Sequence, residues 1–232
     1  MLNRSVGIMG GTFDPIHYGH LVIAEAARAK YRMDEIIFVP SGMPPHKKVR
    51  SITHSEHRFQ MTKLAIQDNP HFCVSRLEID RPGLSYAVDT IRAMRDLFAV
   101  NAKLYFITGA DAILEILSWK DVGALINMCQ LVAATRPGYS LGGLEDIIER
   151  IRTEHKRDFS VHTMEVPALM ISSTDIRSRV QKGMPIKYLL PDSVEKYIYE
   201  HKLYRFDPSL LNREQVGGSE VVRGSDSYPK VR

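Results

Sequence analysis

The sequence predicts an α/β fold: a doubly wound, mostly parallel sheet with helices on both faces and a small C-terminal helical extension. Three observations predict it. Short β-rich runs alternate with longer helical patterns almost from end to end of the 232 residues, the order that βαβ units produce. The runs are near-continuously apolar, as strands covered on both faces are. A Gly-rich turn follows the first strand and opens the first helix, as in Rossmann-like sheets at their ligand-binding edge.

Each element follows in order. Val6 to Met9 reads as a buried strand, and the Ala-rich, Gly/Pro-free stretch from Leu21 to Tyr31 as a helix. Ile36 to Val39 is the next strand, stopped by Pro40 and a Gly-, Pro- and Lys-rich loop to about Arg50. Glu56 to Gln67 is helical, with Phe59, Leu64 and Ala65 on its buried face. Cys73 to Ile79 alternates as a strand should, and Ser85 can N-cap a helix running to about Phe98. Leu104 to Ile107 and Leu131 to Ala134 are further buried strands. A helix near Leu144 to His155 and a strand near Ser160 to Val166 follow. Ser172 with Asp175 matches a capping box and predicts another helix start. The stretch from Pro191 to Ile198 reads as a terminal helix packed by Val194, Tyr197 and Ile198.

Composition bounds the function. A hydrophobic share of 44% and a charged share of 25% are those of a soluble globular chain. The longest apolar runs are too short for a membrane span, and the N-terminus lacks the apolar stretch of a signal peptide. Cys73 and Cys129 are too few and too far apart for a disulfide framework. A cytoplasmic protein is expected. The formal charge of +4 suits anionic small molecules, whereas a nucleic-acid binder would carry a denser basic stripe. The length fits one domain with extras. Residues 1–204 are read as that domain, C-terminal helices included, and 205–232 as a tail that is disordered from about residue 213, where Leu, Ile and Phe disappear. Homo-oligomerisation is left open.

The most informative stretch runs from Gly10 and Gly11 through Thr12, Phe13, Asp14, Pro15 and Ile16 to His17, Tyr18, Gly19 and His20. It sits at the carboxyl end of a strand, where open α/β sheets bind ligands. Two glycines allow close backbone approach, and a helix N-terminus favours an anion. No Gly-Lys-Ser/Thr follows, so it is not a Walker A loop, and it is not Gly-x-Gly-x-x-Gly either. His17 and His20, three apart, put both imidazoles on one face of the first turn, from which they can donate to one phosphate chain. A metal reading would need a third ligand, for which Asp14 is the only nearby candidate, and no metal site is assigned. His54, Ser55, Glu56, His57 and Arg58 lie where a helix begins, which suits capping or solvation.

The first loop resembles the Gly-x-Phe-x-Pro-x-His-x-Gly-His signature of the nucleotidylyltransferase superfamily, and its full form is most similar to the bacterial nicotinate-nucleotide adenylyltransferase branch. The stretch Ile171-Ser172-Ser173-Thr174-Asp175-Ile176-Arg177 resembles the second motif of the same superfamily. Pro44-Pro45-His46-Lys47 resembles the branch's loop after the second strand, and Ser85-Tyr86-Ala87-Val88-Asp89-Thr90 its segment lining the nicotinate end. Trp119 follows Gly109-Ala110-Asp111 at the position where the branch stacks a tryptophan on the pyridine ring. The chain departs from the pattern at Ala87, where many relatives have Thr, and at Lys120, where they have Tyr. Lys120 would favour a carboxylate over an amide by charge.

The resemblance covers roughly Val6 to Tyr204 and implies an enzyme that joins ATP and nicotinate mononucleotide into deamido-NAD, releasing pyrophosphate. It implies ATP contacts from Gly10, Gly11, Thr12, Phe13, His17 and His20, and also from Gly109, Asp111, Ser173, Thr174 and Arg177. Lys47, Ser85, Tyr86, Ala87, Trp119 and Lys120 would face the mononucleotide. A phosphomonoester is mostly dianionic near neutral pH, with a second pKa of about 6, so attack on the α-phosphorus needs no general base. The catalytic work then falls to donors at the reacting phosphate, namely His17, His20 and Arg177. Mg²⁺ would arrive with ATP. The rivals are an enzyme preferring nicotinamide mononucleotide, a pantetheine-phosphate adenylyltransferase, and a non-catalytic nucleotide sensor.

Overall fold

The computed structural model describes residues 4–45, 52–135, 142–156, 158–167 and 169–205. Six strands, β1 (Ser5–Gly11), β2 (Glu35–Pro40), β3 (Phe72–Val74), β4 (Lys103–Gly109), β5 (Gln130–Thr135) and β6 (Val161–Glu165), form one sheet in the order β3-β2-β1-β4-β5-β6. Every pairing is parallel, from Ile8 beside Ile37 and Phe106 at the centre to Val132 beside His162 at the edge. The chain winds outward from β1 in one direction and then returns to wind from β4 in the other. The reversal leaves a crevice at the carboxyl ends of those two strands.

Helices cover both faces. Met9, Phe38, Ile107, Val132 and Met164 point to a core closed by α1 (Tyr18–Lys30), α2 (Ser55–Ile66), α8 (Ser173–Gln181) and α9 (Asp192–Glu200). Ile8, Val39, Phe106, Leu131 and Ala133 point to the opposite core, with α4 (Ala87–Leu97), α6 (Val122–Met128) and α7 (Leu144–His155). This odd-even division is what a period of two imposes on strands buried on both sides. The terminal helix is anchored to α2, where Ser193 Oγ donates to the Leu64 carbonyl (3.1 Å) and Tyr197 Oη meets His57 Nδ1 (3.0 Å).

Several expectations need correction. The strand expected over Cys73 to Ile79 stops at Val74, because Ser75 Oγ accepts from the Leu77 N–H and turns the chain into the short helix α3 (Leu77–Asp80). The N-cap of α4 is Tyr86 rather than Ser85, whose hydroxyl is occupied elsewhere. On α2 the fully buried face is Arg58, Met61, Thr62 and Ile66; Phe59 is half-buried, with the Arg76 guanidinium lying over its ring. After β4 the chain forms α5 (Ala110–Leu114), a single 3-10 turn and α6, none of which the periodicity announced. The tail expected over 205–232 lies, beyond Arg205, outside the described residues.

Candidate active site

The loop between β1 and α1 is built to expose two imidazoles at the crevice. His17 is the N-cap residue of α1, and its backbone N–H donates to His20 Nδ1 (3.3 Å). That bond fixes the neutral His20 tautomer with its proton on Nε2. The two rings lie 3.8 Å apart between centroids, and the His20 ring meets Phe13 edge-on at 5.1 Å. Gly19 permits this packing, since a Cβ there would lie 3.0 Å from the His17 ring. His17 is 6% exposed, and burial lowers its pKa from 6.5 to about 4, so the ring is neutral at pH 7. Its Nδ1 is buried with no hydrogen-bond partner. An orphaned polar atom in a cavity wall is a group held ready for a ligand.

Two cavities open at the crevice and share Gly10 and Thr108 at the ends of β1 and β4. The smaller, about 320 Å³, is lined by His17, His20, Gly109 and Asp111 among others. The larger, about 670 Å³, has Gly11, Thr12, Tyr86, Ala87, Trp119 and Lys120 in its wall. The Trp119 ring stands edge-on to Phe106 at 5.8 Å. Tyr86 precedes the first turn of α4 without giving it a side-chain cap. The N-terminal end of that helix therefore reaches the larger cavity with backbone donors and its positive dipole end.

Sequence-predicted residues sort unevenly between these places. Of the residues expected to contact ATP, Gly10, His17, His20, Gly109 and Asp111 line the smaller cavity, whereas Gly11 and Thr12 line the larger one. Phe13 lines neither; it is 2% exposed and supports the His20 ring from behind. Ser173, Thr174 and Arg177 also lie outside both linings. Ser172 Oγ caps α8 by accepting from Asp175 N (3.1 Å), the N-cap half of the expected capping box, while the Asp175 carboxylate accepts from Arg179 (2.7 Å). Ser173 Oγ donates to the Pro15 carbonyl (2.8 Å), and Arg177 donates to the Asp14 carbonyl (2.7 Å) and to Thr174 Oγ1 (3.3 Å). The second motif thus grips the first loop from beneath. Lys47 lies outside the described residues.

Lys120, expected to face the mononucleotide, is in the wall of the larger cavity. Its ammonium is paired with Asp89 (3.0 Å) and lies over the Tyr86 ring at 4.6 Å, so it presents a neutralised pair to the cavity. Ser85 Oγ accepts from the Gly42 and Met43 N–H groups (3.0 and 3.2 Å) and tethers the loop after β2.

Some groups at the site carried no local signal. Glu78 is buried in the larger cavity's wall, where burial pushes its carboxyl up while hydrogen bonds from Thr90 and Ser85 pull it down. Gly42 packs so closely on the Glu78 backbone that a Cβ would fall 2.2 Å from its carbonyl oxygen. Ser41, also in that wall, has a buried hydroxyl without a partner. Arg58 is 1% exposed and donates to the carbonyls of Thr12 (2.8 Å), Thr53 (2.8 Å) and Gly42 (3.2 Å), drawing the first loop to both ends of the connection between β2 and α2. A buried arginine looks like any helix arginine in sequence. The capping or solvation expected over His54 to Arg58 is thereby corrected at Arg58, which is buried against loop carbonyls.

The cytidylyltransferase-like family model matches residues 8–179. A probable nicotinate-nucleotide adenylyltransferase of Moorella thermoacetica is 58% identical over 200 residues, covering 86% of this chain and 91% of that protein. One from a Thermoanaerobacter species is 53% identical over 202 residues, covering 87% and 95%. Among solved structures, the Plasmodium falciparum nicotinic acid mononucleotide adenylyltransferase complexed with NaAD superposes with a TM-score of 0.68 at 24% identity, covering 87% of this chain and 97% of that one. At that identity the likeness speaks for the fold, while the curated relatives and the family model span both motifs of the crevice. By sequence and by fold, the chain belongs to the cytidylyltransferase-like family.

Proposed function

We propose that this chain transfers the adenylyl group of ATP to nicotinate mononucleotide, giving deamido-NAD and pyrophosphate in NAD biosynthesis. The observation that carries it is the meeting of two cavities at Gly10 and Thr108 with His17 and His20 in the wall beside the junction. Two nucleotides seated end to end bring their phosphates together there. The names of the curated relatives supply the pair of substrates.

ATP is assigned to the smaller cavity. An oxygen of the mononucleotide phosphate attacks the α-phosphorus in line, the bond from that phosphorus to the bridging oxygen breaks, and pyrophosphate leaves with the electron pair. His17 and His20 donate to the charge that builds on the reacting phosphates, and the loop glycines let the backbone come close. Arg177 and Ser173 hold the loop carbonyls, and their contribution to phosphate binding follows from that placement next to the first loop.

Mg²⁺ enters as part of the substrate Mg-ATP. The smaller cavity's lining brings a single carboxylate, Asp111, and no cluster of three metal-ligating side chains occurs among the described residues. That donor set suits an ion carried by phosphates, whose charge it neutralises.

In the larger cavity, Trp119 offers a ring face to the pyridine. The N-terminal turn of α4 at Tyr86 and Ala87 offers N–H donors to its carboxylate. A backbone reader tolerates the Thr-to-Ala departure at position 87. No helix among the described residues is long and apolar enough to cross a membrane, and a cytoplasmic site of action accompanies this reading.

The experiment is pyrophosphate release from Mg-ATP with nicotinate mononucleotide, nicotinamide mononucleotide and phosphopantetheine in parallel. Turnover strongly favouring the first is expected. Preference for either of the others reassigns the acceptor, and ATP binding without turnover makes the chain a sensor.

A further inference from the structure

The loop that presents His17 is held almost entirely by residues far from it in sequence. The carbonyls of Thr12, Asp14 and Pro15 accept from Arg58, Arg177 and Ser173 respectively. The Asp14 side chain is 4% exposed and accepts from two further donors, the Thr53 N–H (3.2 Å) and the Tyr204 hydroxyl (2.7 Å). Tyr204 lies 190 positions away, just past α9. Both ends of this contact have unfavourable backbone: Phe13 has φ 48° and Tyr204 φ 61°, in the left-handed region that aromatic side chains avoid. Such conformations persist only where surrounding contacts over-determine them.

We propose that Tyr204 is a positioning residue for adenylyl transfer, its hydroxyl locking the Asp14 carboxylate and thereby the placement of His17 and His20. The inference rests on the assignment of those histidines to the reacting phosphates. The chemistry of the contact suits a lock. Burial and the neighbouring Asp14 carboxylate push the Tyr204 hydroxyl well above the ordinary tyrosine range, so it stays a donor. A hydroxyl bonded to a carboxylate is among the stronger hydrogen bonds a protein makes. Asp14 in turn precedes His17 by three residues, and its own carbonyl anchors Arg177, so this one residue couples the segment after α9 to both motifs. The Tyr204 ring itself packs against the core cluster that includes Met61, which keeps the ring placed even without its hydroxyl.

Tyr204→Phe in the full chain tests this, with Tyr199→Phe, on the exposed side of α9, as the control. Expected for Tyr204→Phe is a fall in kcat of about tenfold with both KM values within about twofold, beside a modest fall in the thermal midpoint of folding because the buried carboxylate loses one donor. A purely structural role would lower the midpoint and leave kcat of the folded enzyme unchanged, and kcat within twofold of the parent overturns the proposal. The proton resonances of the His17 and His20 rings give a readout independent of turnover. They should move in Tyr204→Phe and stay fixed in Tyr199→Phe. Should the parent transfer adenylate to no acceptor, the functional reading fails, and the ring resonances alone decide the lock: unmoved signals overturn it. Should Tyr204→Phe not fold, Asp14→Asn, of nearly the same shape, carries the same measurements. Combined, the two substitutions should cost no more than the larger of them alone, whereas additive losses break the proposed coupling.

Discussion

The two cavities that meet at Gly10 and Thr108 are built on opposite terms. On the histidine side, polar groups are left incomplete: His17 is neutral, buried and short of a partner at Nδ1, while the loop behind it is gripped from outside by Arg58, Arg177, Ser173 and Tyr204. On the tryptophan side, Lys120 is already paired with Asp89 and Glu78 is bonded by Thr90 and Ser85, while the buried Ser41 hydroxyl has no partner. What that wall offers a ligand is a ring face and a helix end. The difference teaches where each kind of binding energy is spent. Donors whose full bonds form only with the reacting phosphates act on turnover, whereas shape and a fixed dipole act on the choice of acceptor.

The largest effect should come from the incomplete wall. His20→Ala is expected to lower kcat by about 10²–10³, as removal of one preorganised donor does, with the fold intact. Steady-state kinetics beside a thermal unfolding curve check it. Near-normal turnover would erase the distinction between the two walls.

The second test reads the burial of His17 directly. Its folded-state pKa of about 4 lies below the ordinary value of 6.5, so between those limits the unfolded chain binds the proton first. Stability therefore rises with pH through that window. The contribution is complete above pH 6.5 and is lost as pH falls toward 4, a swing of up to about 3 kcal/mol. Denaturant midpoints of the parent and His17→Asn from pH 4 to 7 should converge at the acid end and separate toward neutrality. Parallel curves would mean that the ring is hydrated and free to protonate. Polyphosphate binding should raise the same pKa, since an adjacent anion favours the imidazolium, and so should draw protons from a buffer at pH 5.

How much of this contrast was legible in the sequence depended on how local each signal is. The histidine pair, the capping serine at 172 and the apolar centre of every long strand sit within a few residues of their own cues. The doubly wound parallel sheet followed from alternating elements and near-continuously apolar strands. The strand at Cys73 looked longer than it is because alternation continues through Leu77, and nothing local told that the Ser75 hydroxyl would accept from the Leu77 N–H. Arg58 and Tyr204 were read as a capping or solvated arginine and the last residue of the domain. Their importance lies in partners 46 and 190 residues away, which no window of sequence contains. The pairing of Lys120 with Asp89, 31 positions earlier on α4, was hidden for the same reason.

On the matched wall, Trp119→Ala should raise KM for the mononucleotide about tenfold and leave KM for ATP within about twofold, the loss of a stacking face near the acceptor alone. Equal changes in both constants would show instead that Trp119 supports the junction through Phe106, which lines the same cavity.

The smallest effect is expected at Lys120, and it is the most diagnostic of how the acceptor's acid group is read. In the free protein Asp89 accepts from Lys120 at 3.0 Å and from Arg92 at 3.0 Å, and the Lys120 side chain is 50% exposed. A half-exposed pair presents to the cavity little more than a screened dipole, and such pairs contribute under about 1 kcal/mol. Asp89 keeps Arg92 when Lys120 is removed, so Lys120→Ala leaves no buried charge stranded. The ratio of kcat/KM for nicotinate mononucleotide over its amide should therefore stay within about twofold of the parent. A tenfold fall in that ratio would mean that the pair opens when the acceptor arrives and lends its cation to the carboxylate. Selectivity would then rest on a side-chain charge rather than on the backbone donors at the start of α4, and the second wall would be as incomplete before binding as the first.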